Sequence, residues 1–386
     1  MITNKYKIRE HNEAQVLKGI IDHKNISRAE LSSLTGLNKA SVSSITKGLL
    51  DDGLIFETGI GMAGTQGGRK PIMLQFNPKA AVTLSFDLGV NYLKGTLSYL
   101  NGETVLYVEK KRLTVSAETA VSLLKETIQA IHKEHPELCS TIIGMTVGIH
   151  GVVHNHKIIF TPYYDLDTID LYTELSQLFD FPIYLENEAN LAALGEYTFS
   201  KDSESLVSLS IHSGIGAGIV DAGTVQKGKH GTAGEIGHSI LYPDGKACPC
   251  GNDGCLEQYA SNTVLYQAVA EKKGLDFVDS SVIESLKDDS AIQEELKNNA
   301  FLLSVGINNI VTLYDPEVVI INSSVYRRIP ALLTFIQEHL SSRFAQNISV
   351  RNSPLGNEAT LYGGIALCCQ NFLNIRQLKL HSIYEK

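Results

Sequence analysis

Hydrophobic positions near the start of the chain recur with helical spacing and predict a small helical domain. Residues 15–23 place their apolar side chains on one face of a first helix. Ser27 is followed three residues later by Glu30, which is the pattern of a capping box and predicts the start of a second helix. Two short helices are therefore expected before residue 36.

A third helix is predicted over residues 39–53, with Gly36 providing the turn before it and Asn38 its N-cap. The apolar stripe of this helix consists of Val42, Ile45, Leu49 and Leu50. A strand over residues 54–59 and a Gly-rich loop over residues 61–71 follow. This order of elements is typical of a winged helix-turn-helix, in which the loop is the wing.

The outer face of the third helix carries small hydroxyl and lysine side chains, which suit contacts with phosphates and base edges in a major groove. We expect double-stranded DNA to contact Asn38, Lys39, Ser41, Ser43, Ser44 and Lys47 of the helix, with Arg69 and Lys70 of the wing. The alternative is a small helical domain that docks on another protein. The motif favours DNA.

The rest of the chain alternates strands and helices in two similar halves. The predicted strands are 82–90, 92–100, 103–111, 141–149, 182–186, a strand from Ser205 and 316–324. The predicted helices are 117–133, 189–199, 263–273, 290–312, 332–344 and 360–373. A unit of three strands, a helix and a strand that recurs in a second half resembles the actin/hexokinase-like fold, which by itself does not define a function.

The predicted fold class is therefore α/β, with an N-terminal winged helix-turn-helix and a two-lobed actin/hexokinase-like body. Residues 1–78 form the winged helix. Residues 79–197 together with 360–386 form the first lobe, and residues 198–359 form a second lobe. To this second lobe we assign a metal site, formed around the cysteines at 248–255, and the contacts of a dimer.

The composition indicates a globular protein, and its uneven charge fits either an anionic partner at one end or chance variation of the surface. Hydrophobic residues make up 43% and charged residues 19% of the 386 residues. Residues 1–75 carry ten Lys/Arg and seven Asp/Glu, a net +3, whereas the remainder carries −12 of the chain's net −9. The sequence contains neither a membrane-length apolar run nor a signal peptide, so we expect a cytoplasmic protein without a membrane partner.

Three of the six cysteines are crowded beside a histidine and predict a metal site. Cys248, Cys250 and Cys255 follow His238 within 17 residues. One imidazole and three thiolates form a closed tetrahedral set that zinc prefers in structural sites. The alternative is a redox-active C-x-C pair, which the third cysteine and the histidine disfavour.

The same region carries a resemblance to a known family. The run EIGHSILYPDGKACPCGNDGCLE over residues 235–257 resembles the motif of the ROK family, which contains repressors, open reading frames and sugar kinases. ENEANLAALGE over residues 186–196 and HSGIGAGIV over residues 212–220 are similar to two further motifs of that family. The winged helix that ends in GGRKP resembles the head of its repressor branch, particularly of the xylose repressors.

The resemblance implies sugar contacts by Asn187, Glu188, Glu235, His238 and Glu257. It also implies that one ring nitrogen of His238 binds zinc while the other contacts a sugar hydroxyl. Several neighbouring positions depart from the family pattern, namely His150, His212, Ser213 and residues 162–166. Each departure is either an adjustment of specificity or the decay of an unused pocket.

Three departures argue against kinase activity and ATP as a cofactor. The phosphate loop of the family kinases is Asp-x-Gly-Gly-Thr, whereas residues 87–91 read Asp-Leu-Gly-Val-Asn, and the extra Cβ crowds the phosphate path. Residues 322–324 replace a triple glycine. Glu188 stands at the position of the catalytic Asp of the kinases. Its side chain is one methylene longer than that of Asp, which displaces the carboxylate and weakens its geometry as a general base.

Two functions from different classes remain. The first is a homodimeric repressor with structural zinc, which releases its operator when a sugar such as xylose binds. The two heads of the dimer would lie on half-sites that are about one helical turn apart, or a multiple of it. The second is an antirepressor of antibiotic resistance, derived from such a repressor, that has lost sugar sensing and binds another repressor protein. The altered pocket fits the second, and the complete winged helix fits the first.

Overall fold

The computed structural model describes residues 11–60, 71–200 and 203–380. The N-terminal head contains helices α1 His11–His23, α2 Arg28–Thr35 and α3 Lys39–Asp51, and strands β1 Ile26–Ser27, β2 Ile55–Ile60 and β3 Ile72–Phe76. The strands pair antiparallel in the order β1-β3-β2. The head is therefore a helix-turn-helix followed by a β-hairpin, and its wing loop falls outside the described residues.

The capping signals in the head sequence are confirmed. The Ser27 backbone and hydroxyl groups donate to the Glu30 carboxylate, and the Glu30 N–H donates back to the Ser27 oxygen at 3.3 Å. The Asn38 side chain accepts from the Ser41 N–H at 2.8 Å and begins α3. The third helix is shorter than predicted, because Gly53 has a φ of +73° that ends it.

The first body sheet has five strands in the order β10-β7-β4-β5-β6. Strands β4, β5 and β6 pair antiparallel, whereas β7 and β10 run parallel to β4. Its strands and the accompanying elements are β4 Val82–Leu88, β5 Tyr92–Tyr99, β6 Thr104–Lys111, α4 Ala120–Glu134, β7 Ile142–Ile149, β8 Val152–His154, β9 Lys157–Phe160, α5 Leu171–Leu178, β10 Ile183–Asn187 and α6 Glu188–Phe199.

The second body sheet also has five strands, in the order β13-β12-β11-β14-β15. Its elements are β11 Ser205–Ile211, β12 Ile215–Asp221, β13 Thr224–Val225, α7 Glu257–Ala260, α8 Asn262–Lys273, α9 Ser280–Ser285, α10 Ser290–Tyr314, β14 Val318–Asn322, α11 Ser324–Arg328, α12 Ala331–His339, β15 Ser349–Asn352 and α13 Ala359–Leu373. Two sheets of this kind confirm the predicted α/β, actin-like body.

Helix α12 is where the apolar spacing misleads. A helix was expected over residues 332–344, but α12 ends at His339. The chain then turns, and the Ser342 hydroxyl donates to the Asn308 side chain of α10 at 2.8 Å. Phe344, which continued the apolar spacing, is 77% exposed. The prediction was therefore wrong beyond His339.

Helices α6 and α13 pack against each other between the two sheets. Helix α13 contacts β4 and β7 of the first sheet, and α6 contacts β11 and β12 of the second. Every residue of α6 is buried. The junction of β10 and α6, at Asn187 and Glu188, therefore lies at the boundary between the two halves of the body. No helix in the described ranges is both long and apolar enough to span a bilayer.

Glu196 is a fully buried carboxyl in α6, and it makes stability depend on pH. Its Oε1 accepts a hydrogen bond from the Ser353 hydroxyl. Burial raises the pKa of Glu196 from 4.5 to about 7, although Ser353 and Arg351 act in the opposite direction. Between these two pKa values the folded chain holds a proton that the unfolded chain has lost. The free energy of unfolding therefore falls as pH rises through this window.

We expect Glu196→Gln to remove this pH dependence, because glutamine keeps the acceptor oxygen and carries no charge. Relative to the wild type, the variant should gain up to about 3 kcal/mol between pH 5 and pH 8, since one pKa unit is worth about 1.4 kcal/mol. Urea unfolding at a series of pH values measures this gain. The exposed Glu126→Gln is the matched control, and parallel pH curves for the wild type and Glu196→Gln would refute the assignment.

Candidate functional site

The cluster predicted to bind metal is brought together in the structure. One ligand atom from each of His238, Cys248, Cys250 and Cys255 lies within 4.8 Å of the other three. The His238 Nδ1 is 3.5 Å from the Cys248 sulfur, and the Cys250 and Cys255 sulfurs are 3.6 Å apart. Zinc–ligand bonds of about 2.1–2.3 Å at tetrahedral angles require ligand atoms about 3.6–3.8 Å apart. The donor set and its spacing fit zinc.

Two glycines allow the tight turns that place the cysteines. Gly251 and Gly254 have φ values of +94° and +81°, which favour glycine. The Gly254 carbonyl accepts from the Leu241 and Tyr242 N–H groups at 2.8 and 3.2 Å, and a Cβ at Gly254 would overlap the Tyr242 carbonyl. The segment around residue 254 is thus held against the chain that follows His238.

The buried thiols need a cation to ionise together. Burial, with the neighbouring Cys250 and Cys248, raises the pKa of Cys255 to about 12. Burial also raises the pKa of Cys248. Because a metal ligand must be a thiolate, a bound divalent ion would supply the positive charge that these positions require.

The five residues assigned to sugar binding line one open pocket of about 670 Å³ between the two halves of the body. They are Asn187, Glu188, Glu235, His238 and Glu257. They come from the end of β10, the start of α6, the short helix Ile236–His238 with the residue before it, and the start of α7. Residues about 70 positions apart thus share one polar wall, which is the arrangement a polyol requires.

Glu188 is held firmly on one of its oxygens. Its Oε1 accepts from the Ser210 hydroxyl at 2.9 Å and the Thr360 hydroxyl at 3.3 Å, and lies 3.8 Å from the His212 Nε2. The N-cap Asn187 donates to the Gly151 carbonyl at 2.8 Å. Both groups are therefore oriented before any ligand arrives.

His238 connects the cysteine cluster to the pocket through its two ring nitrogens. Nδ1 lies beside the cysteines and 3.6 Å from the Glu257 Oε1, whereas Nε2 lies 3.9 Å from the Glu235 Oε2. A ring fixed on the metal side would present Nε2 to the pocket. The geometry is compatible with the two roles that the resemblance implied.

A buried contact between His150 and Asp87, which the sequence did not predict, lies on the other side of the pocket. The His150 Nε2 lies 2.8 Å from the Asp87 Oδ1, and the Tyr92 hydroxyl donates to the other Asp87 oxygen at 3.1 Å. Burial opposes ionisation, but the hydrogen bond and charge of His150 hold the pKa of Asp87 below its usual value. Asp87 in turn raises the pKa of His150 despite burial. Each of the two groups therefore favours the charged form of the other.

Tyr92 also covers the loop that corresponds to the kinase phosphate loop. A Cβ at Gly89 would lie 2.2 Å from the Tyr92 ring, so the ring stacks directly on this glycine. The Gly89 N–H donates to the Tyr92 carbonyl at 3.1 Å and is not directed at a ligand. Nothing in the local pattern of the strand over residues 92–100 pointed to this role.

Most of the α3 side chains that were expected to contact DNA are exposed. Side chains of Asn38, Lys39, Ser43, Ser44 and Lys47 are exposed, and Ser41 is half-buried. Arg69 and Lys70 lie outside the described residues. Thr46, on the inner side of α3, accepts a hydrogen bond from the Arg28 guanidinium of α2 at 3.1 Å, which fixes the two helices together.

A helix-turn-helix head on a two-lobed, actin-like body, with a polar pocket beside a Cys₃His cluster, defines the class of this protein. The sequence model of the ROK family matches residues 83–371, and the chain belongs to this family. A xylose repressor from Bacillus spizizenii is 33% identical over 376 residues, which cover 95% of this chain and 97% of that protein.

Solved structures give the same picture. A ROK family transcriptional regulator, a homologue of the Escherichia coli MLC protein, superposes with a TM-score of 0.81 at 27% identity, covering 95% of this chain and 98% of that one. A ROK family glucokinase from Streptomyces griseus covers 74% of this chain and 99% of its own length, with a TM-score of 0.67 at 23% identity. The glucokinase therefore shares the fold of the body.

Proposed function

We propose that the chain is a DNA-binding transcriptional repressor that leaves its operator when a sugar, xylose first among the candidates, fills the pocket. The observation that carries this proposal is a match to a xylose repressor over 95% of the chain, the head included. The likeness to a ROK transcriptional regulator over the same share supports it.

The head supports operator binding. The exposed face of α3 carries Lys39 and Lys47, and its first turn contains no acidic residue. Exposed serine hydroxyls between these lysines can donate to phosphates or to base edges. Two heads in a homodimer would contact half-sites about one helical turn apart, or a multiple of it.

The pocket supports recognition of a neutral polyol. Glu188, Glu235 and Glu257 present carboxylate oxygens that accept hydrogen bonds from sugar hydroxyls. His150, on the opposite side of the pocket, lies against Asp87, and Lys94 lies 3.8 Å from the same carboxylate. A zinc ion held by His238 and the three cysteines would give the pocket wall a rigid support.

We expect no sugar kinase activity. Tyr92 covers the loop at Gly89, so the loop is not open to nucleotide phosphates. The Asp87 carboxylate is hydrogen-bonded to His150, so it is not free to hold magnesium. The measurement is ADP release in a coupled assay with ATP, magnesium and a panel of pentoses and hexoses, using an active ROK glucokinase as positive control. Sugar-dependent ADP release that disappears in Glu188→Gln would overturn this expectation.

The proposed function is tested by fluorescence anisotropy with DNA from the protein's own gene neighbourhood. Zinc-loaded protein should bind specifically in the nanomolar range at near-physiological salt, and one sugar should release the DNA. The Glu188→Gln variant should bind the DNA with the affinity of the wild type. It should need at least tenfold more sugar for release, because the amide oxygen at this position carries no charge.

Weak binding that depends steeply on salt, without any sugar response, would contradict the repressor proposal. That result would instead favour the second candidate, an antirepressor that acts by binding another repressor protein. The departures at His150 and His212 are the observation behind this alternative. A pull-down from cell extract, with the Glu188→Gln variant in parallel, would then be the next experiment.

A further inference from the structure

Helix α6 connects two distant parts of the molecule. Its N-cap Asn187 and first residue Glu188 line the sugar pocket. At a rise of 1.5 Å per residue, its opposite end lies about 18 Å away. That end, at Tyr197 and Thr198, contacts the chain that follows α13. A buried helix of this length transmits a displacement of its first turn to its last.

Helices α6 and α13 are packed too closely to slide past each other. A Cβ at Gly363 of α13 would overlap the carbonyl group of Leu191 in α6. A Cβ at Gly195 would come within 2.6 Å of the Ala359 carbonyl oxygen. Since neither contact leaves free space, the two helices shift as one unit when the pocket changes shape.

The residues after α13, 374–380, which we call the C-terminal segment, are fastened to the far end of α6. The Lys379 ammonium donates to the carbonyl oxygens of Tyr197 and Ser203 at 2.9 and 2.8 Å, and lies 3.5 Å from the centre of the Tyr197 ring. The Leu380 N–H donates to the Thr198 carbonyl at 2.7 Å. These bonds tie the segment to the last turn of α6.

The other side of the C-terminal segment faces the DNA-binding head. Its apolar residues Ile375, Leu378 and Leu380 belong to the same buried cluster as Leu17 and Ile20 of α1. A cleft lined by α1 on one side and by residues 374–377 on the other runs along this junction. The segment is therefore placed between the sensing body and the head.

We propose that the C-terminal segment carries the state of the sugar pocket to the DNA-binding head, with Lys379 as the residue that couples them. This inference rests on the proposed function and adds the route by which sugar binding weakens operator binding. Lys379 contacts neither sugar nor DNA in this scheme. It is a positioning residue, because it holds the segment on α6 while the segment holds α1.

The test is Lys379→Met in the full-length, zinc-loaded chain, which keeps the alkyl stem and removes the ammonium group. Operator affinity is measured by anisotropy with and without xylose, and xylose affinity by calorimetry. In the wild type, we expect xylose to weaken operator binding by at least about tenfold, within the usual range of coupling between sites. In Lys379→Met, this ratio should fall below about threefold while xylose affinity stays within about twofold.

The matched control is Lys133→Met, the same substitution at an exposed position on α4. It should leave the coupling ratio at the wild-type value. A wild-type ratio in Lys379→Met would overturn the proposal. So would an equal loss of xylose affinity and coupling, since that result would mean that Lys379 supports the pocket instead of the connection.

A second measurement separates failure of this proposal from failure of the proposed function. Amide hydrogen exchange of the ligand-free protein should be at least about fivefold faster in α1 of Lys379→Met than in α1 of the wild type, with the second body sheet unchanged. This result requires neither DNA nor sugar. If xylose does not change operator binding by the wild type but exchange in α1 is faster in Lys379→Met, then the choice of xylose as effector is wrong and the connection through the C-terminal segment is supported. If exchange in α1 is the same in Lys379→Met and the wild type, the proposed connection is wrong.

Discussion

Replacing Ser44 by Glu is expected to weaken specific operator binding by about a hundredfold or more, because a carboxylate on the recognition face meets the phosphate backbone at close range. Ser44 is exposed on α3, and glutamate is a better helix former than serine, so the head should fold normally. Anisotropy at fixed salt measures the loss, and circular dichroism checks that the helical content is unchanged.

The control for this variant is Ser122→Glu, which adds the same charge at an exposed helical position on α4 of the body. It should bind the operator like the wild type. Replacing Lys39 and Lys47 by Ala should also flatten the dependence of log affinity on log salt, by about 0.9 for each phosphate that a lysine no longer neutralises. Equal affinities for Ser44→Glu and Ser122→Glu would show that α3 is not the DNA-reading helix.

Removing one cysteine of the His238, Cys248, Cys250 and Cys255 cluster is expected to produce the second large effect. Cys255→Ser, at a fully buried position, should abolish stoichiometric zinc content and lower xylose affinity by about tenfold or more. The physical reason is that His238 and Glu257 are positioned through the cysteine cluster, so losing the metal frees the His238 ring to rotate. Metal analysis by mass spectrometry and calorimetry with xylose give the two readouts.

Cys139→Ser provides the matched control, because the half-buried Cys139 lies outside the cluster and its thiol donates to the backbone carbonyls of residues 132 and 135. Its zinc content and xylose affinity should match the wild type. A Cys255→Ser protein that retains full xylose affinity after losing its metal would separate the cysteine cluster from the pocket and contradict the link through His238.

The head could be predicted closely because its signals are local. The capping box at Ser27 and Glu30 and the N-cap at Asn38 act within three residues, so their sequence spacing is enough. Strand β3 was not predicted, and neither was the burial of Thr46. Both depend on contacts across the head, with β2 and with Arg28, which no local spacing encodes.

The functional site was predicted in unequal parts. The four residues of the cysteine cluster are close in sequence, so their chemistry alone suggested a metal. The residues expected to contact a sugar were named from the family resemblance, and the fold then places all five of them in the lining of one pocket. The pairing of Asp87 with His150 spans 63 residues and that of Glu196 with Ser353 spans 157, so both depend on the packing of distant elements.

Sequence alone is enough to predict the class of the fold, the capping of the head helices, the composition of the His/Cys cluster and the polar outer face of α3. Each of these follows from the periodicity or chemistry of residues that are neighbours in the chain. The folded structure is needed to see that Tyr92 covers the loop at Gly89, that Glu196 is buried with Ser353, and that the C-terminal segment lies between α6 and α1. These contacts join residues from separate elements, and side-chain packing in the folded core is what selects them.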